Sequence, residues 1–114
     1  MREGMPVKLV DMNRLEKENI LPGLKARFVH SENMTVAYWY MEAGSDFPLH
    51  DHCHEQLVNV ISGKVEVSVR GEKIPLDPGC LLVLAPGEPH AVHAVEKSFV
   101  IDVFYPIRED YRKE

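Results

Sequence analysis

An all-β fold, an antiparallel sandwich or small barrel, is what this sequence predicts, and three observations predict it. Its 114 residues fit a single domain with one core. A content of 45% hydrophobic and 27% charged residues belongs to an ordinary globular chain, not a disordered or fibrous one. Gly and Pro punctuate the chain frequently and locally, and the segments between them have the length and apolar character of short strands.

The elements follow in order. A short helical turn is expected over Asp11 to Glu18, ended by Leu21-Pro22-Gly23. Strands are expected at Lys25 to Val29, Met34 to Met41, Glu55 to Ile61, Lys64 to Arg70, Cys80 to Leu84, His90 to Val95 and Phe99 to Tyr105. Ser62-Gly63 and Arg70-Gly71-Glu72 read as hairpin connections. Asp77-Pro78-Gly79 and Pro86-Gly87-Glu88-Pro89 read as rigid loops, in which Pro fixes φ and Gly permits tight reversal. Along one strand Tyr38 and Tyr40 face one way and Trp39 the other, so one set packs in the barrel and the other at a subunit interface. Met34, Met41 and Phe47 are expected in the core rather than at a pocket, and Arg27 in a surface ion pair. Cys53 and Cys80 are expected as free thiols packed like small apolar side chains.

Composition excludes several functions. No run of about 18 apolar residues is present to span a membrane. The stretch from Met1 to Pro6 lacks the apolar core of a secretion signal, which makes the cytoplasm the default location. Net charge is −5 and the 13 Lys and Arg residues are scattered, so nucleic acid is not an expected partner. The run from Arg108-Glu109-Asp110 to Arg112-Lys113-Glu114 mixes both signs and reads as a solvated tail in all but Arg108.

Two short stretches carry the chemistry: His50-Asp51-His52-Cys53-His54-Glu55-Gln56 and Ala85-Pro86-Gly87-Glu88-Pro89-His90. They hold four of the six histidines, at spacings that suit one transition-metal centre. If the first stretch is extended, residues 50, 52, 54 and 56 share one face and Glu55 takes the other. His54 then contacts substrate or supports the ligands, unless loop curvature turns it aside. His30 reads as a hydrogen-bonded structural residue, and His93, of opposite parity to His90, as outward-facing.

From Gly44 through His50, His52, Gln56 and Gly63, then from Gly79 through Pro86-Gly87 to His90, the order resembles the two sequence motifs of the cupin superfamily. The resemblance implies a double-stranded β-helix, the jelly-roll cupin barrel, with a core over 34–105, an amino-terminal extension over 1–33 and a tail over 106–114. It also implies that His50, His52, Gln56 and His90 hold one divalent transition metal ion per chain, with Zn, Ni, Fe, Mn and Cu not distinguished. Most cupins carry Glu where this chain has Gln56, and Asn often stands where it has Ala94. A three-His, one-Gln set adds no negative charge, which leaves the ion a stronger Lewis acid but more weakly held.

Asp102 interrupts the apolar strand Phe99 to Tyr105, where a buried carboxylate is costly without a partner or a task. The sequence from Asp102 through Phe104 and Pro106 to Arg108-Glu109-Asp110 resembles the carboxyl-terminal signature of the pectin-degradation (KdgF-like) cupins, which share the His-x-His-x-His-Glu-Gln form of residues 50–56. That resemblance implies an enzyme that opens 4,5-unsaturated monouronates, products of pectin or alginate lyases, to a linear keto form. The ring must lose its anomeric proton and gain one at carbon 4. Asp102 suits the proton transfers and Arg108 the substrate carboxylate, with Phe104 and His54 contacting the sugar acid. Two other readings fit the same residues: a non-catalytic cupin binding a small sugar, and an Fe-dependent dioxygenase. A homodimer is implied as well, and the segment Val7-Lys8-Leu9-Val10 is suited to add a strand to a partner's sheet edge.

Overall fold

The computed structural model describes residues 7–112; residues 1–6, read above for a secretion signal, and 113–114 of the charged tail lie outside the described residues. Ten strands form two antiparallel sheets packed as a jelly roll. They are β1 (Glu18–Leu21), β2 (Leu24–His30), β3 (Thr35–Met41), β4 (Asp46–His50), β5 (Glu55–Ser62), β6 (Val65–Val69), β7 (Glu72–Leu76), β8 (Leu81–Leu84), β9 (His90–Ala94) and β10 (Ser98–Tyr105). The larger sheet has the order β1-β2-β3-β10-β5-β8 and the smaller β4-β9-β6-β7. The expected all-β barrel is therefore present, and all seven strands read from the sequence are found within a residue or two of their expected ends. Among the described residues no helix is long and apolar enough to cross a membrane.

Alternation explains which face each strand buries. In β3, Thr35, Ala37, Trp39 and Met41 are buried while Val36, Tyr38 and Tyr40 are not, and in β10 Val100, Asp102 and Phe104 point inward. The core is assembled from these inward positions with Leu24, Ala26, Val58, Val60, Val65 and Val67. Burying a side chain of this size contributes about 1.5–3 kcal/mol before entropy is counted, so the alternating pattern dictates the register.

Three strands were not expected. The helical turn shrinks to a 3-10 turn at Met12–Arg14, capped by the Asp11 carboxylate accepting from the Asn13 N–H at 3.0 Å. Glu18–Leu21 is instead strand β1, folded back on β2 through Gly23, whose φ of +77° needs a residue without a side chain. Pro48 argues against β4 and Pro75 against β7. Both strands lie at the edges of the smaller sheet, where a missing N–H breaks no ladder.

Of the other expectations, some hold and some are revised. Cys53 and Cys80 are free thiols but exposed, because each stands in a turn and not on a buried strand position. Among the described residues Arg27 has no ion-pair partner; it donates to the Leu15 carbonyl at 2.8 Å and the Tyr40 hydroxyl at 2.8 Å. Met34 is exposed, whereas Met41 is buried in the core as expected and Phe47 packs against it, both also lining the barrel cavity. His30 Nδ1 lies 2.8 Å from Thr35 Oγ1, and His93 donates to Asp46 at 2.6 Å on the outside.

Candidate active site

The stretch from His50 to Gln56 is not one strand. His50 ends β4 in the smaller sheet, Gln56 is the second residue of β5 in the larger, and residues 51–54 cross between them. Convergence thus comes from the crossing and not from strand parity. His90 opens β9 directly opposite His50. One ring nitrogen of each of His50, His52 and His90 lies within 4.8 Å of the others'.

Backbone carbonyls orient two of these rings. His50 Nδ1–H donates to the Pro48 carbonyl and His90 Nδ1–H to the Glu88 carbonyl, each at 2.8 Å. Each tautomer is thereby set with its Nε2 lone pair free. His90 Nε2 and His52 Nδ1 are buried without a hydrogen-bond partner. Burial depresses the His50 pKa, and burial with the nearby Arg108 charge depresses that of His52 to about 4, so these two imidazoles are neutral at pH 7.

Gln56 joins this cluster to the acid. Its Nε2 donates to Asp102 Oδ2 at 2.9 Å, which turns its Oε1 toward His52 Nε2, 3.0 Å away. Glu55 is exposed on the other face, as strand parity requires. The Asp102 carboxyl is buried, and Oδ1 has no hydrogen-bond partner. Burial raises its pKa to about 7, against the opposing pull of the Gln56 amide, the Trp39 indole N–H and Arg108. Gln at position 56 has a physical reason here: a carboxylate in its place would stand against the buried Asp102 carboxylate, and one of the two would have to hold a proton.

Arg108 is held from four sides. Its backbone N–H donates to the buried Thr35 hydroxyl at 2.9 Å, and its guanidinium lies over the rings of Phe104 (4.8 Å) and Tyr111 (4.2 Å). Nε and Nη2 fork onto the two oxygens of Asp110 at 2.9 and 2.6 Å. The Nε–Nη2 edge is therefore occupied, and the edge formed by the two Nη groups remains for another anion. Burial lowers the Arg108 pKa, but the contacts with Asp110 and Tyr111 together outweigh it and the net shift is upward; the fork onto Asp110 depresses the Asp110 pKa.

His50, Gln56, His90, Asp102, Phe104 and Arg108 line one narrow cavity that opens to solvent, whose apolar walls are Trp39, Met41, Phe47, Val92 and Tyr111. His54 is not among the lining residues. Its Nε2–H donates to the Ile107 carbonyl at 3.1 Å, tying the crossing segment to the loop that carries Arg108. The solvated-tail expectation is corrected for Asp110 and Tyr111: one clamps Arg108 and the other stacks on Phe28 at 4.4 Å. A lone aromatic in a charged run was the signal for Tyr111; Asp110 had none beyond its closeness to Arg108.

Two antiparallel sheets enclosing three convergent imidazoles define a cupin barrel. Residues 37–104 match the family model of the cupin domain, and the chain belongs to that family. Within it the chain is KdgF-like. It is 30% identical over 97 residues, 82% of this chain and 88% of that protein, to the pectin degradation protein KdgF of Dickeya dadantii. The solved structure of KdgF from a Halomonas species superposes with a TM-score of 0.87 at 28% identity, covering 93% of this chain and 99% of that one. An H2HPP isomerase of Bacillus subtilis is 26% identical over 105 residues, 90% of this chain but 44% of that protein.

Proposed function

We propose that this cupin is a metal-dependent isomerase that opens the ring of 4,5-unsaturated monouronates to the linear keto form. The observation that carries the proposal is Gln56, whose amide links His52 to the buried Asp102 across a cavity shared with Arg108. The relatives support the direction, since one is a pectin degradation protein and another an isomerase.

The donor set fits a divalent transition metal. His90 Nε2 is buried, free of its proton and without a partner, a state that a ligand role explains. His52 Nε2 and Gln56 Oε1 stand side by side, 3.0 Å apart, next to the other two imidazoles. His50, His52, Gln56 and His90 would hold the ion. With four neutral ligands it supplies undiminished Lewis acidity to sugar oxygens and developing negative charge.

The reaction is an isomerisation. The anomeric hydroxyl loses its proton, the bond from carbon 1 to the ring oxygen breaks, an aldehyde forms at carbon 1, and the enol so released takes a proton at carbon 4 to become a ketone at carbon 5. Asp102, titrating near neutrality, is suited to accept one proton and deliver the other. The free edge of Arg108 receives the substrate carboxylate, while Phe104 and Trp39 wall the ring from water. His54 acts by holding the Arg108 loop.

The test is to incubate metal-loaded protein with an unsaturated monouronate and follow the ultraviolet absorbance of its conjugated double bond. The wild type is expected to accelerate the loss, and Asp102→Ala to abolish it with metal content unchanged. No acceleration with Zn, Ni, Fe, Mn or Cu overturns the proposal.

A further inference from the structure

At the barrel mouth one row of inward positions runs, by strand register, from His30 through Thr35 and Phe104 to Gln56. Phe104 and Gln56 line the cavity, whereas His30 and Thr35 do not. Resting on the anion-binding role proposed for Arg108, we infer that His30 and Thr35 are positioning residues which together fix that arginine in the cavity wall. Thr35 is wholly buried. Valine has a similar shape and takes no hydroxyl out of water, so a threonine at this core-facing strand position calls for a partner.

The hydroxyl has two partners. The Arg108 N–H donates to Thr35 Oγ1 at 2.9 Å, and Thr35 Oγ1 lies 2.8 Å from His30 Nδ1. A backbone N–H can only donate, so the hydroxyl accepts there and still has its own hydrogen to give. Among the described residues His30 Nδ1 is the acceptor within reach of it. The hydrogens therefore run one way, from the Arg108 N–H to Thr35 and from the Thr35 hydroxyl to His30, whose proton sits on Nε2. A hydroxyl that donates is also a stronger acceptor, so His30 tightens the hold on Arg108 although it does not touch it.

The peptide unit joining Ile107 to Arg108 is thus pinned at both ends, its N–H by Thr35 of β3 and its Ile107 carbonyl by His54 of the crossing segment at 3.1 Å. The guanidinium is supported from the same strand as His30. Phe28, two residues earlier on β2 and on the same face, lies parallel to the His30 ring at 6.3 Å and stacks on Tyr111 at 4.4 Å, and the Arg108 guanidinium lies over Tyr111 at 4.2 Å. The end of the β2–β3 hairpin is itself closed, with the Ser31 N–H on the Met34 carbonyl at 2.9 Å and the Met34 N–H on the Ser31 hydroxyl at 3.0 Å. Without the Thr35 hydroxyl the Arg108 N–H is buried and unpaired, and the loop carrying it no longer has one preferred position. Substrate then binds only the fraction of molecules with Arg108 in place, which raises KM in proportion and leaves the bound complex as it was.

Two measurements test this, and the first needs no substrate. Hydrogen exchange at the Arg108 backbone N–H, followed by NMR of isotope-labelled protein, is expected to quicken about tenfold in Thr35→Val and about fivefold in His30→Leu, with unchanged far-ultraviolet dichroism. Thr35→Ser, which keeps the hydroxyl, and His30→Asn, whose Oδ1 takes the place of Nδ1, are expected to stay within about twofold of the wild type. In uronate turnover Thr35→Val and His30→Leu should raise KM about tenfold and about fivefold with kcat within about twofold, and the Ser and Asn variants should restore KM. If Thr35→Val does not fold, His30→Leu decides, since His30 is only half-buried. Unchanged exchange at Arg108 in the folded variants overturns the inference, and so does a fall in kcat with KM unchanged. A wild type that turns over no uronate overturns the proposed function alone, and the exchange measurement then decides whether His30 and Thr35 position Arg108.

Discussion

Replacing Asp102 by Asn should reveal a buried charge through the pH dependence of stability. The Asp102 pKa is raised from 3.8 in the unfolded chain to about 7 in the folded one, mainly by burial. Between these values the folded state binds the extra proton, so the wild type loses stability as pH rises from about 4 to about 7 and is flat beyond. Three pKa units at 1.36 kcal/mol each amount to about 4 kcal/mol. Asn still accepts from the Gln56 amide and carries no charge. Its new N–H₂ meets the side where Oδ1 has no partner, a cost of about 1–2 kcal/mol that does not vary with pH. The variant should therefore be no more stable than the wild type at pH 4 and about 2–3 kcal/mol more stable at pH 8. At an m-value of about 1–1.5 kcal/mol/M the pH 8 gain is a urea midpoint shift of about 2 M. The assay is urea unfolding of metal-free protein from pH 4 to 9, followed by the fluorescence of Trp39, the single tryptophan. The histidines are common to both proteins and cancel in the difference. A difference that stays constant across this range would refute the claim that Asp102 is buried as described.

Three further outcomes follow from the same geometry. His90→Ala removes a buried ring whose Nε2 lacks a partner, and elemental analysis should find metal falling from one ion per chain to a trace with the fold retained; unchanged metal content would remove His90 from the ligand set. Asp110→Ala frees the Arg108 fork, and KM for the uronate should rise about tenfold with kcat little changed, Asp110→Glu restoring part of it; equal falls in kcat and kcat/KM would place Asp110 in the chemistry instead. Gly63 has φ +86°, and an added Cβ would collide with the Lys97 carbonyl and Ser98. Gly63→Ala should cost about 3 kcal/mol, the sum of a left-handed backbone and overpacking, and lower Tm by about 10 °C or more in a thermal scan.

How much was legible beforehand depended on whether a residue's own neighbours in sequence decided its environment. The strands with clean alternation, Thr35–Met41 and Ser98–Tyr105, were readable because burial on one face imposes a period of two. Asp102 stood out for the same reason, as a carboxylate at an inward position. The strands holding Pro48 and Pro75 were hidden because proline is tolerated at an edge, and edges are a property of the whole sheet. The histidine stretch pointed to the right cluster through a premise that does not hold: the residues converge because the chain crosses between sheets, and His54, of the expected parity, is turned to Ile107. Asp110 and Tyr111 escaped notice because their partners, Arg108, Phe28 and Trp39, meet only when the tail folds back across the barrel mouth.

The central claim is that the cavity between the imidazole cluster and Asp102 returns a proton to carbon 4 as the ring opens. Proton NMR of the product formed by metal-loaded protein in D₂O tests it most directly. The account predicts a single deuterium at carbon 4 in one configuration, formed far faster than without enzyme and lost as a stereochemical preference in Asp102→Ala. Deuterium distributed equally between the two positions at carbon 4, with wild type and variant alike, would contradict it.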